Sequence, residues 1–256
     1  MWIDGIIKDE KTRAVSIEEA FKNINLYSRI IYGGGPIMDL PSILLYQYLI
    51  LLKKSKETSF HIYGAGILNF KNKFSKFLLR QILKKAESIN LRSNKSVELL
   101  SDLGFSGKFV TDPAISFIKD NFKNEYKAND KKLLINLRPL WTKYTNSYSK
   151  NELMHLEEKI LKDVSKLILD LEKNHGFQVD FVPFNHDQFG MSDTDLAIKL
   201  KNMLPNHSSF KIIYEEYLFE EMLKKVSNYK YAICMRLHAA VFCNEVGVKT
   251  VGIDYS

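Results

Sequence analysis

Tyr229-Lys-Tyr-Ala-Ile-Cys-Met-Arg-Leu-His-Ala-Ala240 changes character at one point. Up to Met235 it is an apolar and aromatic run of strand length. From Arg236 it turns basic, and residues 239–245 then read as a small-residue helix ending before Gly247. An apolar strand that breaks into a polar turn and then a helix is the repeating unit of a parallel sheet. Arg236 and His238 therefore fall just past a strand, at the carboxyl edge where open α/β sheets bind ligands.

Working outward, the same alternation recurs on both sides. Toward the amino terminus, residues 210–213 and 177–182 read as strands, with helices at 193–204 and 217–226. Ser149-Lys-Asn-Glu152 is a capping box. It opens a helix with the stripe Leu153, Leu156, Ile160, Val164, Leu167 and Leu171, closed by Gly176. Residues 133–137 form a strand ending at Arg138-Pro139, and residues 248–253 form the last strand. The first half follows the same plan. Ser16-Ile-Glu-Glu19 caps a helix to about residue 27. Strands at 29–32, 59–63, 87–91 and 108–110 alternate with helices at 40–55, 72–86 and 96–103. Strands spaced about 25–30 residues apart with helices between them imply right-handed βαβ units. The polar stretch 119–132 reads as a linker. The expectation is an α/β fold with two Rossmann-like domains, 1–120 and 131–256, whose parallel sheets face each other across a cleft.

Composition removes several classes of function. The chain has 256 residues, 45% hydrophobic and 26% charged, with 16 Phe and 13 Tyr. That is enough apolar material for a folded core, and it excludes an intrinsically disordered chain. Two cysteines, Cys234 and Cys243, exclude a disulfide scaffold and lack metal-ligand spacing. They read as small buried hydrophobes. The longest apolar run, 43–52, contains Gln47 and is too short to cross about 30 Å of hydrocarbon. No signal-peptide pattern opens the sequence, which points to the cytoplasm. The net charge of +7 calls for an anionic partner. Lysines scattered along the chain without interleaved aromatics argue against nucleic acid. Nothing in the sequence signals an oligomeric state.

The carboxyl edges hold the informative residues. Arg92, Arg138 and Arg236 directly follow strands, and these are half of the six arginines in the chain. Asp112 and His238 also lie just past strands, and Asp39 closes the loop that begins Gly33-Gly34-Gly35. Gly64 and Gly66 lie in a second glycine turn. Glycine runs let backbone N–H groups approach an anion at a helix N-terminus, or simply make a tight turn. Neither run is a P-loop or a Gly-x-Gly-x-x-Gly fingerprint. An arginine fork suits carboxylate or phosphate, and a histidine nearby is a general acid or base. His61, His155, His175 and His207 read as structural or solvated, while His186-Asp187 follows a strand. Asp193-Thr-Asp195 resembles a metal-binding Asp-x-Asp, but its place before an amphipathic helix favours capping. No metal site is expected.

Five segments in order resemble one family, the polysaccharide pyruvyl transferases. They are Ile30-Ile-Tyr-Gly-Gly-Gly-Pro-Ile-Met-Asp39, Ile62-Tyr-Gly-Ala-Gly-Ile67, Ile89-Asn-Leu-Arg-Ser93 with Leu103-Gly104, Val110-Thr-Asp-Pro-Ala114, and Ile233-Cys-Met-Arg-Leu-His-Ala239 through Asp254-Tyr255. The resemblance implies a GT-B-like pair of domains. It implies transfer of the pyruvyl group of phosphoenolpyruvate onto a sugar of a cell-surface polysaccharide or its precursor, as a ketal, with no cofactor beyond that donor. It implies His238 as general acid, Arg236 and Arg138 on phosphate and carboxylate, and Arg92 as a third anion ligand. Asp39 would orient or deprotonate the acceptor hydroxyl. Gly33, Gly34, Gly35, Gly64, Gly66 and Asp112 would shape the substrate sites. A lipid-linked acceptor would bring the basic surface to the inner face of the cytoplasmic membrane. The resemblance departs at both ends. The family's usual first strand is not visible before Ser16, and the family continues beyond Ser256, which implies a short variant or a fragment. Two other readings remain open: a glycosyltransferase using a nucleotide sugar, and a non-catalytic member of a glycan assembly complex.

Overall fold

The computed structural model describes residues 15–122, 128–140, 149–186 and 192–254. The chain is α/β and divides into two compact units, one up to Ser116 and one from Phe117 onward.

In the first unit, Ser16 caps α1 (Ile17–Lys22) by accepting the Glu19 N–H, and a single 3-10 turn follows. Strand β1 (Arg29–Gly33) and the two-residue β2 (Pro36–Ile37) lead into α2 (Pro41–Lys53), which has proline in its first turn. Then come β3 (Ser59–Ile67), α3 (Lys73–Leu83), β4 (Ser88–Leu91), α4 (Asn94–Asp102) and β5 (Lys108–Phe109). All pairings are parallel, in the order β1-β3-β4-β5 with β2 beside β3. The order advances in one direction. Right-handed crossovers therefore place α2, α3 and α4 on the same face. Phe60, Ile62, Ile89 and Leu91 meet Leu44, Leu51, Leu78, Leu79 and Leu100 in that layer.

Two readings of this half need correction. Gly64-Ala65-Gly66 does not end the strand. Gly64 takes φ +65°, the register with β4 shifts between Tyr63 and Ala65, and β3 runs on to pair with β2. The turn is a bulge inside a longer strand. Gly33-Gly34-Gly35 does not open a helix either. Gly34, at φ +78°, turns the chain into β2, and α2 begins only at Pro41.

Helix α5 (Pro113–Asn121) carries the boundary between the units. Residues 119–132 are not a plain linker. Ile118 is buried in the second unit, and β6 (Asn129–Asn136) begins with Asn129 paired to Tyr229. Charged residues at the ends of both elements hid them, because strand and helix ends face solvent. Residues 123–127 lie outside the described residues.

The second unit continues with α6 (Lys150–His175), whose Ser149–Glu152 capping box forms as read. Then come β7 (Gln178–Phe181), α7 (Asp193–Asn202), β8 (Lys211–Ile212), α8 (Phe219–Val226), β9 (Tyr229–Cys234), α9 (Leu237–Glu245) and β10 (Lys249–Gly252). The parallel order is β10-β9-β6-β7-β8. The chain winds outward from β6 through β7 to β8, then returns to β9 on the other side of β6. Residues of α6 and α7 share one core cluster with the sheet, and residues of α8 and α9 share the other. This sheet is doubly wound, and its winding reverses between β6 and β9.

Candidate active site

The carboxyl ends of β6, β7 and β9 meet through two buried polar side chains, Asn136 and Asp193. Asn136, the last residue of β6, is fully buried. Its amide donates to the Val182 carbonyl at 3.0 Å and to Asp193 Oδ2 at 3.3 Å, and its carbonyl accepts the Arg236 N–H at 3.2 Å. Asp193 is also fully buried. Its Oδ2 accepts the backbone N–H groups of Phe184 and Asn185 at 3.0 and 3.1 Å. The same carboxylate receives the Arg236 guanidinium. Nε lies 2.9 and 2.7 Å from Oδ1 and Oδ2, and Nη2 lies 2.6 Å from Oδ1. A bidentate carboxylate in a dry site fixes a guanidinium in one orientation.

Arg236 is thereby aimed as it leaves β9 and becomes the N-cap of α9. The helix starts at Leu237, two residues earlier than the small-residue run suggests. His238 therefore lies in its first turn. The imidazole is exposed and sits 6.3 Å from the Phe242 ring, centroid to centroid. Arg138 leaves the neighbouring strand in matching register. Asn136 pairs with Cys234, so Arg138 and Arg236 each stand two residues past a paired position. Arg138 is half-buried. Arg138, Arg236 and His238 thus emerge side by side where the winding of the sheet reverses, the place at which doubly wound sheets bind ligands.

The remaining residues singled out fall in the first unit. Arg92 Nη1 lies 2.9 Å from Asp112 Oδ2, and Asp112 Oδ1 accepts the Ala114 N–H at 3.0 Å in the first turn of α5. Both side chains of the pair are largely buried, at 14% and 12% exposure. Gly64 faces the same corner. A Cβ there would stand 2.6 Å from the Pro113 ring, so no other residue fits. Gly66 lies against Arg92 and Ser96, and Ser96 Oγ accepts the Ile67 N–H at 2.9 Å. Arg92, Asp112, Gly64 and Gly66 are therefore brought together. Gly33, Gly34 and Gly35 form an exposed turn, tied to this corner by the Gly66 N–H on the Gly35 carbonyl.

Asp39 has a different setting from the one expected. Its Oδ2 accepts the backbone N–H groups of Lys71 and Asn72 at 2.8 and 3.0 Å, just before α3. Burial pushes its pKa up, but the Asn72 N–H, the Ser75 hydroxyl and the Lys71 N–H together bring it below the usual carboxylate value. Its Oδ1 is buried and has no hydrogen-bond partner among the described residues, so only one of the two carboxylate oxygens is held by the loop.

Asn136 and Asp193 were missed as site residues. Asn136 did leave a trace, a lone amide inside Leu133-Leu-Ile-Asn-Leu137. Asp193 stands out only as part of Asp193-Thr-Asp195, which reads as a cap because it precedes an amphipathic helix. The cap is in fact Ser192, whose hydroxyl accepts the Thr194 N–H at 3.1 Å. His186 follows β7 in the described chain, while Asp187 lies outside the described residues. His61 is bonded to Ser88 inside the first sheet. Cys234 and Cys243 are buried thiols, and the Cys243 pKa is pushed far up by the Cys234 thiol and by burial. Among the described residues, no three His, Cys, Asp or Glu side chains gather to hold a metal ion. No described helix is long and apolar enough to cross a membrane.

A chain of the Glycosylation Associate Protein (Gap123) complex from Streptococcus agalactiae aligns with 94% of this chain at 10% identity, with a TM-score of 0.48. The alignment spans 46% of that chain's length. No curated protein matches the sequence. The family model described as polysaccharide pyruvyl transferase matches residues 4–256. With that match running over nearly all of its length, the chain belongs to the polysaccharide pyruvyl transferase family.

Proposed function

We propose that this protein moves the pyruvyl group of phosphoenolpyruvate onto two hydroxyls of a sugar in a cell-surface polysaccharide or its precursor. The observation that carries this reading is the emergence of Arg138, Arg236 and His238 from adjacent strands at the point where the second sheet reverses its winding. Phosphoenolpyruvate carries a carboxylate and a phosphate on one small frame, and two arginine forks match those two groups. Arg236 is held by Asp193, so its guanidinium is preorganised before substrate arrives.

In this proposal His238 protonates C3 of the donor, and C2 becomes an oxocarbenium-like carbon. One sugar hydroxyl adds to C2 and its proton restores the protonated His238. The second hydroxyl then displaces phosphate from C2, closing the ketal, and its proton leaves with the phosphate. The products are the pyruvylated sugar and inorganic phosphate. Arg138 and Arg236 hold the carboxylate and the departing phosphate. Asp39 acts as a clip on its own loop rather than as the base. Arg92 and Asp112 shape a second polar corner in the first unit.

The test is thermal unfolding of the full chain with and without millimolar phosphoenolpyruvate, for wild type and Arg236→Ala. A ligand at 100 times its Kd adds about 2.7 kcal/mol, or about 5–10 °C for a protein of this size. The expected result is a shift in wild type that vanishes in the variant. Stabilisation by a nucleoside diphosphate but not by phosphoenolpyruvate would overturn the donor assignment in favour of a sugar-nucleotide transferase.

A further inference from the structure

Helix α2 is apolar almost throughout, and only one side of it is used by the core. Leu44 and Leu51 are buried, while Leu45, Leu49 and Leu52, spaced to form one stripe, are 40%, 44% and 52% exposed. Helix α3 packs beside α2 on the same face of the first sheet. It buries Leu78, Leu79, Ile82 and Leu83 and leaves Phe74 and Phe77 51% and 54% exposed. Those two rings stack on each other at 6.4 Å. Isolated exposed leucines are ordinary on a protein surface, but a leucine stripe and a phenyl pair on neighbouring helices are not.

The charges of the segment that builds this face are strongly skewed to one sign. Residues 41–86 contain eight Lys and one Arg against a single acid, Glu57. The segment alone carries +8, from nine cations less one carboxylate, which exceeds the +7 of the whole chain. Lys73, Lys76, Arg80 and Lys84 all lie on the exposed side of α3, among and beyond the two phenyl rings, so on this helix, unlike the scattered spacing read along the chain, basic and aromatic side chains do share a face. A protein partner's surface carries both signs, and a second copy of this face would oppose like charge to like. Exposed Leu and Phe set among Lys and Arg match the interfacial zone of an anionic bilayer, where apolar groups enter the acyl boundary and cations meet headgroups.

We propose that the outer face of α2 and α3 is a peripheral docking surface for an anionic lipid bilayer. The rings of Phe74 and Phe77 and the leucine stripe of α2 seat below the headgroups. Lys73, Lys76, Arg80 and Lys84 pair with lipid phosphates. This rests on the first unit alone and not on the pyruvyl-transfer reading, so either can fail without the other.

The experiment is co-sedimentation of the full chain with vesicles of phosphatidylcholine alone and of phosphatidylcholine with about 30% phosphatidylglycerol. Wild type is expected to partition onto the anionic vesicles and not the neutral ones. Raising salt from about 0.1 M to about 1 M, which shortens the screening length from about 10 Å to about 3 Å, should release most of it. Lys73→Gln with Lys76→Gln and Arg80→Gln should weaken partition roughly 100-fold, about fivefold for each cation. Phe74→Ser with Phe77→Ser should weaken it at least tenfold without lowering the unfolding temperature. Met154→Ser, at an exposed apolar position of the second unit, should leave it unchanged. Equal binding to neutral and anionic vesicles, no binding by wild type, or full binding by both α3 variants would overturn the proposal. A concentration-dependent dimer that Phe74→Ser with Phe77→Ser abolishes, without vesicle binding, would assign the face to a second copy instead.

Discussion

In the first unit the strands advance in one direction, β1-β3-β4-β5, whereas in the second they leave β6 both ways. The consequences appear at the carboxyl edges. In the first unit, Arg92 pairs with Asp112, Asp39 takes two backbone N–H groups, and Ser96 binds the β3 backbone. Those polar groups are spent on holding loops. In the second unit, the buried groups Asn136 and Asp193 do the holding, and Arg138, Arg236 and His238 stand in front of them. A reversal of winding parts the loops that leave β6 and β9, and this gives side chains room to face a ligand. Similar residue types at similar strand positions thus tie loops down in one half and, in the function proposed above, face the donor in the other.

The largest effect that would break this contrast lies at His238. His238→Ala should lower the pyruvyl-transfer rate about 10²–10⁴-fold, the usual yield of a general acid, with little change in stability because the ring is exposed. His61→Ala, which removes a side chain bonded to Ser88 inside β3, should leave the rate within a factor of two or so of wild type once folding is allowed for. Steady-state kinetics with a diol acceptor measures both. A loss under tenfold at His238 removes it as the acid, and a larger loss at His61 would move the chemistry to the first unit.

The next effect compares the two arginine–carboxylate pairs by stability. Asp193 is fully buried and accepts from Arg236, Asn136 and two backbone N–H groups. Asp193→Ala strands all of them and should cost about 3 kcal/mol in urea unfolding. Asp112 keeps 12% of its side chain exposed and accepts from the Arg92 guanidinium and the Ala114 N–H, and should cost less, about 1–2 kcal/mol, when changed to Ala. Asp193→Asn should recover much of the fold while loosening Arg236, and so weaken anion binding more than stability. The reverse ranking would mean that the first unit contains the organised corner.

Most of the elements were legible in the sequence because they have a local cause, whereas α5 and the start of β6 were hidden by their charged ends. The Ser149–Glu152 box, the Pro41 start of α2 and the leucine stripe of α6 are written in neighbouring residues. The strand exits were legible too, since a basic residue ending an apolar run marks Arg92, Arg138 and Arg236. What local pattern cannot carry is partnership across the fold. Asp193 lies 43 residues from Arg236, and Asn136 lies 100 residues from it. Their roles exist only after β6, β7 and β9 pair. The same limit explains the glycines. Gly64 looks like a loop residue, yet it is required by a bulge and by Pro113, which arrives from a distant segment. The direction of winding, which separates the two halves, depends on strand order and leaves no mark on any single strand.

The smallest expected effect tests whether Asp39 is a clip. Its folded pKa lies below the ordinary value, because the donors from Asn72, Ser75 and Lys71 outweigh burial. A carboxylate with a depressed folded pKa stabilises the fold above its unfolded pKa, about 3.9, and loses that contribution as pH falls through the folded value. Asp39→Asn keeps the shape and an acceptor oxygen but removes the charge. The variant should be slightly less stable at neutral pH, and its stability should fall less steeply than that of wild type below about pH 4. Urea unfolding across the acid range measures the two slopes. Parallel acid limbs would mean that the carboxyl titrates alike in the folded and unfolded chains. The backbone donors would then not be holding its charge, and Asp39 would return as a candidate to take the proton from the acceptor hydroxyl. Converging limbs would fix it as part of the first unit's scaffold and leave the proton's destination to be sought at the edge of the second sheet.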